Sequence, residues 1–517
     1  MTVHARVFPN SYRDSVELMR IAAEIEALPG VTRCGLVMAT PVNRIVLRGA
    51  GLMTDAASGA GPNDLVIALS ADDAAVAVEA LDRAAARLAG QGEEAAKEST
   101  RTEWRTIGEG AADLGGADVA LVSTPGTYAT AEALKALKRG INVFLFSDNV
   151  PIEDEIALKR LAVERGLLLM GPDCGTAILD GVPLGFANAV RRGSIGLIGA
   201  SGTGLQQVCC LIDRAGAGVS QAIGVGGRDL DARVGGLMML AALDRLEADP
   251  STDVIVLISK PPAADVAERV LRAAAAIRTP VIVNFLGGDP AAIRELGLVP
   301  AATFEMAAAE AVALARHESI PPEADAKAPG NGPVERAAVA LASGQWRVHG
   351  LFSGGSLAGE AKLVLKDVLG AEAAKAHEIL DLGDDEYTVG RPHPMIDPRL
   401  RNERIETAAE DPATAVILLD VVLGYGSHPD PAGALAPAIR SAVEAAARAG
   451  RSIAVVASVC GTDADPQRRS AQESTLQAAG VILEPSNARA ARAAAAIARA
   501  AARGPGLVQG SAVGAIL

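Results

Sequence analysis

The 517-residue chain is poor in aromatic side chains, histidine and cysteine. Aromatic residues are only 3% of the chain, and Ala, Val, Leu and Ile supply most of its hydrophobic half. This composition is typical of buried parallel strands covered by Ala- and Leu-rich helices. The five cysteines are scattered and odd in number, so we predict reduced thiols rather than a disulfide framework.

Several other features are missing from the sequence. No apolar run reaches membrane-spanning length, because arginines interrupt even the Ala-rich stretch 488–502. The first ten residues lack a signal-peptide pattern, and the net charge of -14 disfavours a nucleic-acid partner. No His, Cys or carboxylate cluster has metal-ligand spacing, so we predict no metal site. We expect a cytoplasmic protein without a membrane or nucleic-acid partner.

A Gly- and Ser-rich turn follows the apolar run 195–198. It reads Gly199-Ala-Ser-Gly-Thr-Gly204, and the residues after it can be helical. A strand, such a turn and a helix start together favour an anion site, because the first N–H groups of a helix lack intrahelical partners and lie at the positive end of its dipole. We predict that a phosphate or carboxylate binds at Ser201, Gly202, Thr203 and Gly204. An ordinary tight βα turn is the alternative.

The chain contains this pattern twice. Ser353-Gly-Gly-Ser356 follows a second strand-like run, 346–351, and an Asp-Pro pair precedes a later strand at both 249 and 411. Two related α/β domains in tandem are therefore expected. We predict that they pack about a pseudo-two-fold axis, so that both helix N-termini face one shared ligand. The second set of predicted ligand-binding residues is Ser353, Gly354, Gly355 and Ser356.

Strand and helix signals alternate from residue 118 onwards, which predicts parallel sheets with right-handed crossovers. The residues before this point predict a small α+β domain of ferredoxin-like type. The expected bounds are 1–95 for that domain, 107–190 for a first βαβ segment, 191–318 and 336–505 for the two repeats, and 319–335 for a linker rich in Pro, Gly and charge.

These motifs resemble a known family. Residues 117–315 are similar to the α subunit of succinyl-CoA synthetase, through Gly171-Pro-Asp-Cys-Gly175, the first Gly/Ser turn and Ile223-Gly-Val-Gly-Gly-Arg-Asp229. Residues 346–500 resemble the ligase half of its β subunit. The whole chain is similar to the FdrA proteins, which are acyl-CoA synthetase-like. The resemblance implies an α/β fold: a partial Rossmann-like domain of CoA-binding type, then two tandem flavodoxin-like domains, after the small α+β domain.

The chain departs from the synthetases at three places. In that family a histidine in the loop after the fourth strand of the first flavodoxin-like domain becomes phosphorylated, but here this loop is Asn284-Phe-Leu-Gly-Gly-Asp289. The Gly-rich phosphate loop of the CoA-binding domain is not recognised, and neither is an ATP-grasp domain. Phosphohistidine ligase chemistry by this chain alone is therefore not expected. We predict no cofactor, and CoA remains an open alternative.

The resemblance also implies a reaction. FdrA-like proteins are linked to oxamate carbamoyltransferase in allantoin and purine nitrogen catabolism, with separately encoded partner subunits. That reaction interconverts carbamoyl phosphate and an N-carbamoyl acid, and it needs neither phosphohistidine nor CoA. We therefore favour a carbamoyltransferase subunit in a hetero-oligomer. An ADP-forming acyl-CoA ligase subunit and a non-catalytic scaffold that senses an anion are the alternatives.

Cationic and titratable side chains near the turns are further candidates. Arg228 is a candidate phosphate clamp, with a surface ion pair as the alternative. Lys260 ends a core strand beside the first turn. His393 and His428 are candidate general acids or bases, because imidazole titrates near pH 7. A surface turn is the alternative for both histidines.

The loop that replaces the phosphohistidine loop has polar residues at its two ends. Asn284 is a candidate ligand-binding residue. Asp289 is a candidate for orienting an amide substrate, and capping of a helix is its alternative.

Overall fold

The structure is a computed structural model that describes residues 2–98, 104–319, 332–388 and 392–503, apart from residues 12, 14 and 27. Residues 320–331 of the predicted linker lie outside the described residues. Tertiary contacts divide the chain into two units. One comprises the residues up to Trp104 together with Asp384–His393, and the other comprises Arg105–Gly383 with the residues from Pro394 onwards.

The first unit contains a three-stranded antiparallel sheet in the order β1-β3-β2. Helices α1 and α4 cover one face of the sheet, and α2 and α3 cover the other, so that the central strand is buried on both sides. This split βαβ arrangement confirms the predicted small α+β domain. Its elements are β1 (Thr2–Phe8), α1 (Ser15–Glu26), β2 (Val31–Met38), α2 (Pro41–Gly49), α3 (Asp55–Gly59), β3 (Leu65–Ala71) and α4 (Ala74–Glu98), with the short α16 (Asp385–Thr388) from later in the chain.

The second unit begins with a three-stranded parallel sheet in the order β4-β5-β6. Apolar side chains of its strands and helices form a core that continues into the sheet that follows. It is the predicted partial Rossmann-like domain. Its elements are α5 (Ile107–Asp113), β4 (Val119–Val122), α6 (Gly126–Lys138), β5 (Asn142–Leu145), α7 (Ile152–Glu164) and β6 (Leu169–Met170).

A seven-stranded sheet in the order β13-β12-β11-β9-β10-β7-β8 follows. Five of its strands are parallel in the flavodoxin-like order 2-1-3-4-5, and the hairpin β7–β8 adds two antiparallel strands. Its elements are β7 (Thr176–Leu179), β8 (Val182–Gly185), β9 (Arg192–Ala200), α8 (Gly202–Arg214), β10 (Val219–Gly224), α9 (Leu237–Ala248), β11 (Val254–Ser259), α10 (Ala264–Ala276), β12 (Val281–Phe285), α11 (Pro290–Glu295), β13 (Val299–Pro300) and α12 (Phe304–Ala315).

The second repeat is a five-stranded parallel sheet in the order β15-β14-β16-β17-β18, which again is 2-1-3-4-5. The predicted duplication of a flavodoxin-like domain is therefore confirmed. Its elements are α13 (Pro333–Ala340), β14 (Arg347–Phe352), α14 (Gly355–Leu369), α15 (Ala371–Ala374), β15 (Glu378–Asp381), α17 (Arg399–Glu410), β16 (Thr414–Val422), α18 (Pro431–Arg448), β17 (Ala454–Cys460), α19 (Arg469–Ala478), β18 (Ile482–Glu484) and α20 (Asn487–Arg503).

The two repeats share one hydrophobic core. It contains Leu205 of α8 and Phe304 of α12 from the first repeat, together with Leu357 of α14 and Ala491 of α20 from the second. Packing α8 against α14 brings the starts of these two helices together. In the part of the chain that the structure describes, no helix is long and apolar enough to cross a membrane.

Candidate functional site

The two Gly/Ser turns lie in direct contact. The Oγ of Ser201 donates a hydrogen bond of 2.6 Å to the Oγ of Ser356. A Cβ atom on Gly354 would lie 2.8 Å from Cγ2 of Thr203, so the two backbones also approach closely. Both helix N-termini therefore converge, as the sequence predicts. A phosphate cannot fit between the two serine side chains, so an anion at this site has to lie beside them.

The first turn keeps two backbone donors at its helix end. Ser201 caps α8, because its Oγ accepts a hydrogen bond of 3.1 Å from the N–H of Gly204. Gly202 and Thr203 occupy the first two helical positions, where N–H groups have no intrahelical acceptor. A Cβ on Gly204 would lie 2.2 Å from the Oγ of Ser201. This glycine is therefore required by the packing of the turn itself.

The second turn is occupied by a carboxylate of the chain itself. The N–H groups of Ser353 and Gly354 donate to the two carboxylate oxygens of Asp420, each at 2.8 Å, and the Oγ of Ser353 donates at 3.1 Å. Arg401 of α17 pairs with the same carboxylate at 2.8 Å, and both side chains are buried. The predicted contact of a ligand with the Ser353 and Gly354 donors is therefore not available. The N–H groups of Gly355 and Ser356, at the first two positions of α14, remain.

Lys260 brings a cation to the second turn. It directly follows β11, which pairs with β9, so it lies at the switch point of the first sheet, where ligands of such folds bind. A Cβ atom added to Gly355 would lie 3.1 Å from Nζ of Lys260 and 2.1 Å from Oδ2 of Asp381. Both charged groups therefore lie next to Gly355. Lys260 is exposed. The first repeat thus places an ammonium group at the start of α14 in the second repeat.

Arg228 lies in the surface ion pair that was the alternative to a phosphate clamp. Its guanidinium pairs with Glu155 of α7 at 2.9 Å and donates to the carbonyl of Val150 at 2.8 Å. Glu155 is buried and also pairs with the buried Lys159. Arg228 therefore joins the Rossmann-like segment to the first repeat, and its role as a phosphate clamp stays a prediction.

Asn284 and Asp289 have structural roles. Asn284 is fully buried in β12, and its Nδ2 donates to the carbonyl of Ala301 at 2.9 Å. Its Oδ1 is buried without a hydrogen-bond partner, and its contact with a ligand stays a prediction. Oδ1 of Asp289 accepts a hydrogen bond of 2.8 Å from Ala291 and caps α11. Asp289 therefore caps a helix, which was the alternative to orienting an amide substrate.

Histidines of the second unit lie mostly away from the turns. His317 follows the far end of α12, and His349 and His377 lie near the amino ends of β14 and β15. His428 lies in the loop after β16, and its Nδ1 accepts a hydrogen bond of 3.0 Å from the N–H of Asp430. This loop corresponds to the loop of Lys260 in the first repeat. Acid-base catalysis by His428 stays a prediction.

His393 belongs to the other unit, which contains the small α+β domain. Its predicted role as a general acid or base stays a prediction.

A buried carboxyl group that sequence analysis missed joins the two repeats behind the turns. Glu360 of α14 accepts hydrogen bonds from the N–H of Phe304 at 2.7 Å and from Nδ2 of Asn487 at 2.8 Å. Burial raises its pKa to about 7 against the lowering effect of these bonds. Glu360 therefore ties the starts of α12 and α20 to the helix that carries the second turn.

Neither Glu360 nor Asp420 belongs to a recognisable motif. The only signal for Asp420 is a lone acid within the apolar run 415–423. A charged residue there requires a buried partner, and Arg401 supplies it.

The small parallel sheet does not form the phosphate-binding part of a CoA site. The described residues before β4 contain α5 and a Gly115-Gly116 turn, but no strand that leads a Gly-rich loop into a helix. The start of α6 is also closely packed, because a Cβ on Gly126 would lie 2.4 Å from the carbonyl oxygen of Asp148. These residues do not fit a pyrophosphate. Within the described ranges, no three His, Cys, Asp or Glu side chains are grouped as metal ligands would be.

Three family models match separate parts of the chain. Residues 1–104 match the AllF heavy metal-associated domain, residues 190–288 match the CoA binding domain, and residues 351–497 match CoA-ligase. The uncharacterized protein YahF of Escherichia coli (strain K12) is 41% identical over 514 residues, which cover 94% of this chain and 97% of YahF. The chain belongs to the FdrA family. Its members are acyl-CoA synthetase-like proteins, and the succinyl-CoA synthetase fold is present in this one.

CoA ligases are among the relatives of this FdrA protein outside its own family. The α-2 subunit of the ADP-forming succinate–CoA ligase of Trichomonas vaginalis is 31% identical over 149 residues, or 28% of this chain and 47% of the relative. The SauD subunit of the ADP-forming sulfoacetate-CoA ligase of Bilophila wadsworthia is 29% identical over 182 residues, or 34% of this chain and 61% of SauD. The chain therefore spans only part of the length of these ligase subunits. A succinyl-CoA ligase-like protein is the description that these matches support.

Proposed function

We propose that this FdrA protein is the subunit of a carbamoyltransferase that binds an acyl phosphate, carbamoyl phosphate, without forming a phosphohistidine. One arrangement carries the proposal: two helix N-termini and the Lys260 ammonium converge where the ligase fold would hold a phosphohistidine, while the loop from Asn284 to Asp289 supplies no imidazole. Donors that are already oriented at a buried edge stabilise a phosphoryl group without covalent catalysis.

The remaining donors define how the ligand would be held. The N–H groups of Gly202 and Thr203 in the first turn, and those of Gly355 and Ser356 in the second, lie at the starts of α8 and α14. Lys260 adds a positive charge beside Gly355, where the carboxylate of Asp381 also lies. In the transfer, the nitrogen of an amide acceptor attacks the carbamoyl carbon, the C–O bond to phosphate breaks, and the amide proton leaves with a base. These donors and Lys260 would stabilise the charge that develops on the departing phosphate.

Partner subunits complete this proposal. The acceptor site and the base are assigned to separately encoded proteins, with His428 as the alternative base within this unit. The protein would then work in the cytoplasm as part of a hetero-oligomer on a small phosphate- or carboxylate-bearing substrate.

A second candidate is an ADP-forming acyl-CoA ligase subunit whose nucleotide-binding domain lies on another chain. The matches to the CoA-ligase and CoA binding domain models favour it. It requires a phosphorylated intermediate, for which the loop from Asn284 to Asp289 offers no histidine.

The decisive experiment is isotope exchange in the complex with its partner subunits. We expect labelled inorganic phosphate to exchange into carbamoyl phosphate when the N-carbamoyl acid is present, without ADP or CoA. Lys260→Met should abolish most of this exchange, whereas Arg272→Gln, an exposed charge change on α10, should leave it unchanged. ADP- and CoA-dependent formation of an acyl-CoA with acid-labile protein phosphate, and no exchange, would instead establish the ligase. If the partner subunits were fully active without this chain, we would conclude that the chain is a non-catalytic scaffold.

A further inference from the structure

A second polar cleft lies at the opposite end of α8 from the two turns. Its volume is about 1170 Å³, and both repeats line it. Arg191, Asp213 and Arg214 contribute from the first repeat, and Asp463 and Arg469 contribute from the second. The 13 residues of α8 span about 20 Å, so this cleft is separate from the proposed carbamoyl phosphate site.

The floor of the cleft is preformed by hydrogen bonds between the repeats. Nδ2 of Asn188 donates to Asp465 at 2.9 Å, and the N–H of Ala189 donates to the other oxygen of the same carboxylate at 2.7 Å. The Oγ1 of Thr462 donates to the carbonyl of Ala189 at 2.7 Å. Because these groups form hydrogen bonds with one another, the floor is ordered without a ligand. Binding a ligand would therefore cost little conformational entropy at the floor.

Arg214 brings a half-buried cation into this cleft without a carboxylate partner. Its Nη1 donates to the carbonyl of Pro485 at 2.7 Å, and no carboxylate among the described residues forms an ion pair with it. Burial and the neighbouring Arg469 lower the pKa of Arg214, while Glu473, which pairs with Arg469 at 2.8 Å, opposes this effect. Two guanidinium groups at one partly desolvated wall repel each other, and a bound anion would relieve that cost.

The carboxylates that line the cleft are engaged elsewhere. Asp213 accepts two hydrogen bonds from Arg191, at 3.0 Å from its N–H and at 2.8 Å from its Nε. Oε1 of Glu305 pairs with Arg489 at 2.6 Å, while its Oε2 is buried without a hydrogen-bond partner, and Asp463 accepts from the N–H of Ser470 at 2.8 Å. Arg214 therefore retains donors that its acidic neighbours do not use.

We propose that this cleft is a second ligand site that binds a small organic anion through Arg214 and Arg469. A carboxylate or a phosphate fits the planar fork of donors of a guanidinium group. The half-exposed ring of Tyr425 and the side chains of Val190 and Leu211 offer apolar surface for the body of the ligand. Because the walls come from both repeats, the bound anion links them and stabilises the folded chain.

The test combines binding with labelling at the cleft. Inorganic phosphate, malonate, AMP and uncharged adenosine are titrated calorimetrically into the full-length protein carrying Lys260→Met, which removes the cation at the turns. Phenylglyoxal labelling with mass spectrometry then reports the protection of Arg214 and Arg469. We expect at least one anion to bind and to protect both arginines, and adenosine to do neither. Binding of malonate would indicate a carboxylate ligand, whereas binding of phosphate or AMP would indicate a phosphate ligand.

Matched variants make the test specific. Arg214→Gln and Arg469→Gln should each weaken binding of that anion at least about tenfold, because each removes a charged hydrogen-bonding group. Arg272→Gln removes the same charge from exposed α10 and should leave the affinity unchanged. The proposal is overturned if none of the three anions binds, if neither arginine is protected, or if Arg272→Gln weakens binding as much as the cleft variants do.

Discussion

The two Gly/Ser turns occupy equivalent places in two copies of one fold, but their backbone donors serve different purposes. In the first repeat, Ser259 pairs with Ala200, directly before the turn. In the second, Leu419 pairs with Leu351, so the next residue, Asp420, takes the place that corresponds to Ser259. Ser259 brings no carboxylate to the first turn, whereas Asp420 accepts from two backbone donors of the second, Ser353 and Gly354. One strand position therefore decides whether the donors directly before the helix are occupied.

The difference makes the paired site asymmetric. The first repeat contributes the Lys260 ammonium and two open N–H groups, and the second contributes a helix start that Asp420 and Arg401 hold in place. We call the first repeat the binding half and the second the supporting half, although the second also keeps the N–H groups of Gly355 and Ser356.

The largest expected effect comes from breaking the supporting half. Asp420→Ala leaves Arg401 buried and unpaired and removes the acceptor of two backbone donors, so we expect a loss of about 3–5 kcal/mol in the free energy of unfolding. Urea denaturation monitored by circular dichroism measures it. The double variant Asp420→Leu with Arg401→Met should recover much of the loss. An unchanged denaturation midpoint for Asp420→Ala would contradict the supporting role.

Removing the cation of the binding half should affect turnover instead of stability. For Lys260→Met we expect phosphate exchange to fall about 10²-fold, because a group that stabilises charge in the transition state is lost. The denaturation midpoint should not move, since the side chain is exposed. Lys260→Arg keeps the charge and should retain more exchange than Lys260→Met. Equal loss in both variants would assign Lys260 a role other than charge.

The contact that holds the halves together should depend on pH. Burial raises the pKa of Glu360 from its ordinary 4.5 to about 7, so the folded protein keeps a proton that the unfolded chain releases between these values. Stability should therefore fall as pH rises from 4.5 to 7, by at most about 1.4 kcal/mol per pH unit, and should not change further through this group above that range. Glu360→Gln should remove this slope. If the unfolding free energy from urea denaturation depended on pH equally in the wild type and in Glu360→Gln, Glu360 would not be the source of the pH dependence.

The smallest expected effect is a difference in stability between variants of Ser201 and Ser356, the two serines in contact. Ser201→Ala removes the cap of α8 and should cost about 1 kcal/mol of unfolding free energy, whereas Ser356→Ala loses only the bond between the hydroxyl groups and should cost less. A double-mutant cycle gives their coupling. Equal losses would mean that the cap of Ser201 contributes nothing beyond the shared bond.

The layered fold could be predicted because its signals are local. Apolar runs such as 195–198 and 254–258 form buried strands, and glycine turns between them start helices, so the two repeats could be recognised from their period. The contacts of Arg228 and Asn284 could not be predicted in this way. Both follow or end strands at the edge where ligands bind, but the partner of Arg228 lies 73 positions earlier in the chain, at Glu155, and Asn284 points into the core. Sequence order carries no information on such distant partners.

The sequence by itself determined the alternation of strands and helices, the duplication and the absence of a histidine in the loop from Asn284 to Asp289, since these depend on residue type and short-range pattern. Only the tertiary structure decided that Ser201 touches Ser356, that Asp420 fills the second turn, and that Lys260 of one repeat reaches Gly355 of the other. The physical reason is that each of these contacts joins side chains from different strands or different repeats, and their positions depend on how the helices pack over a shared core.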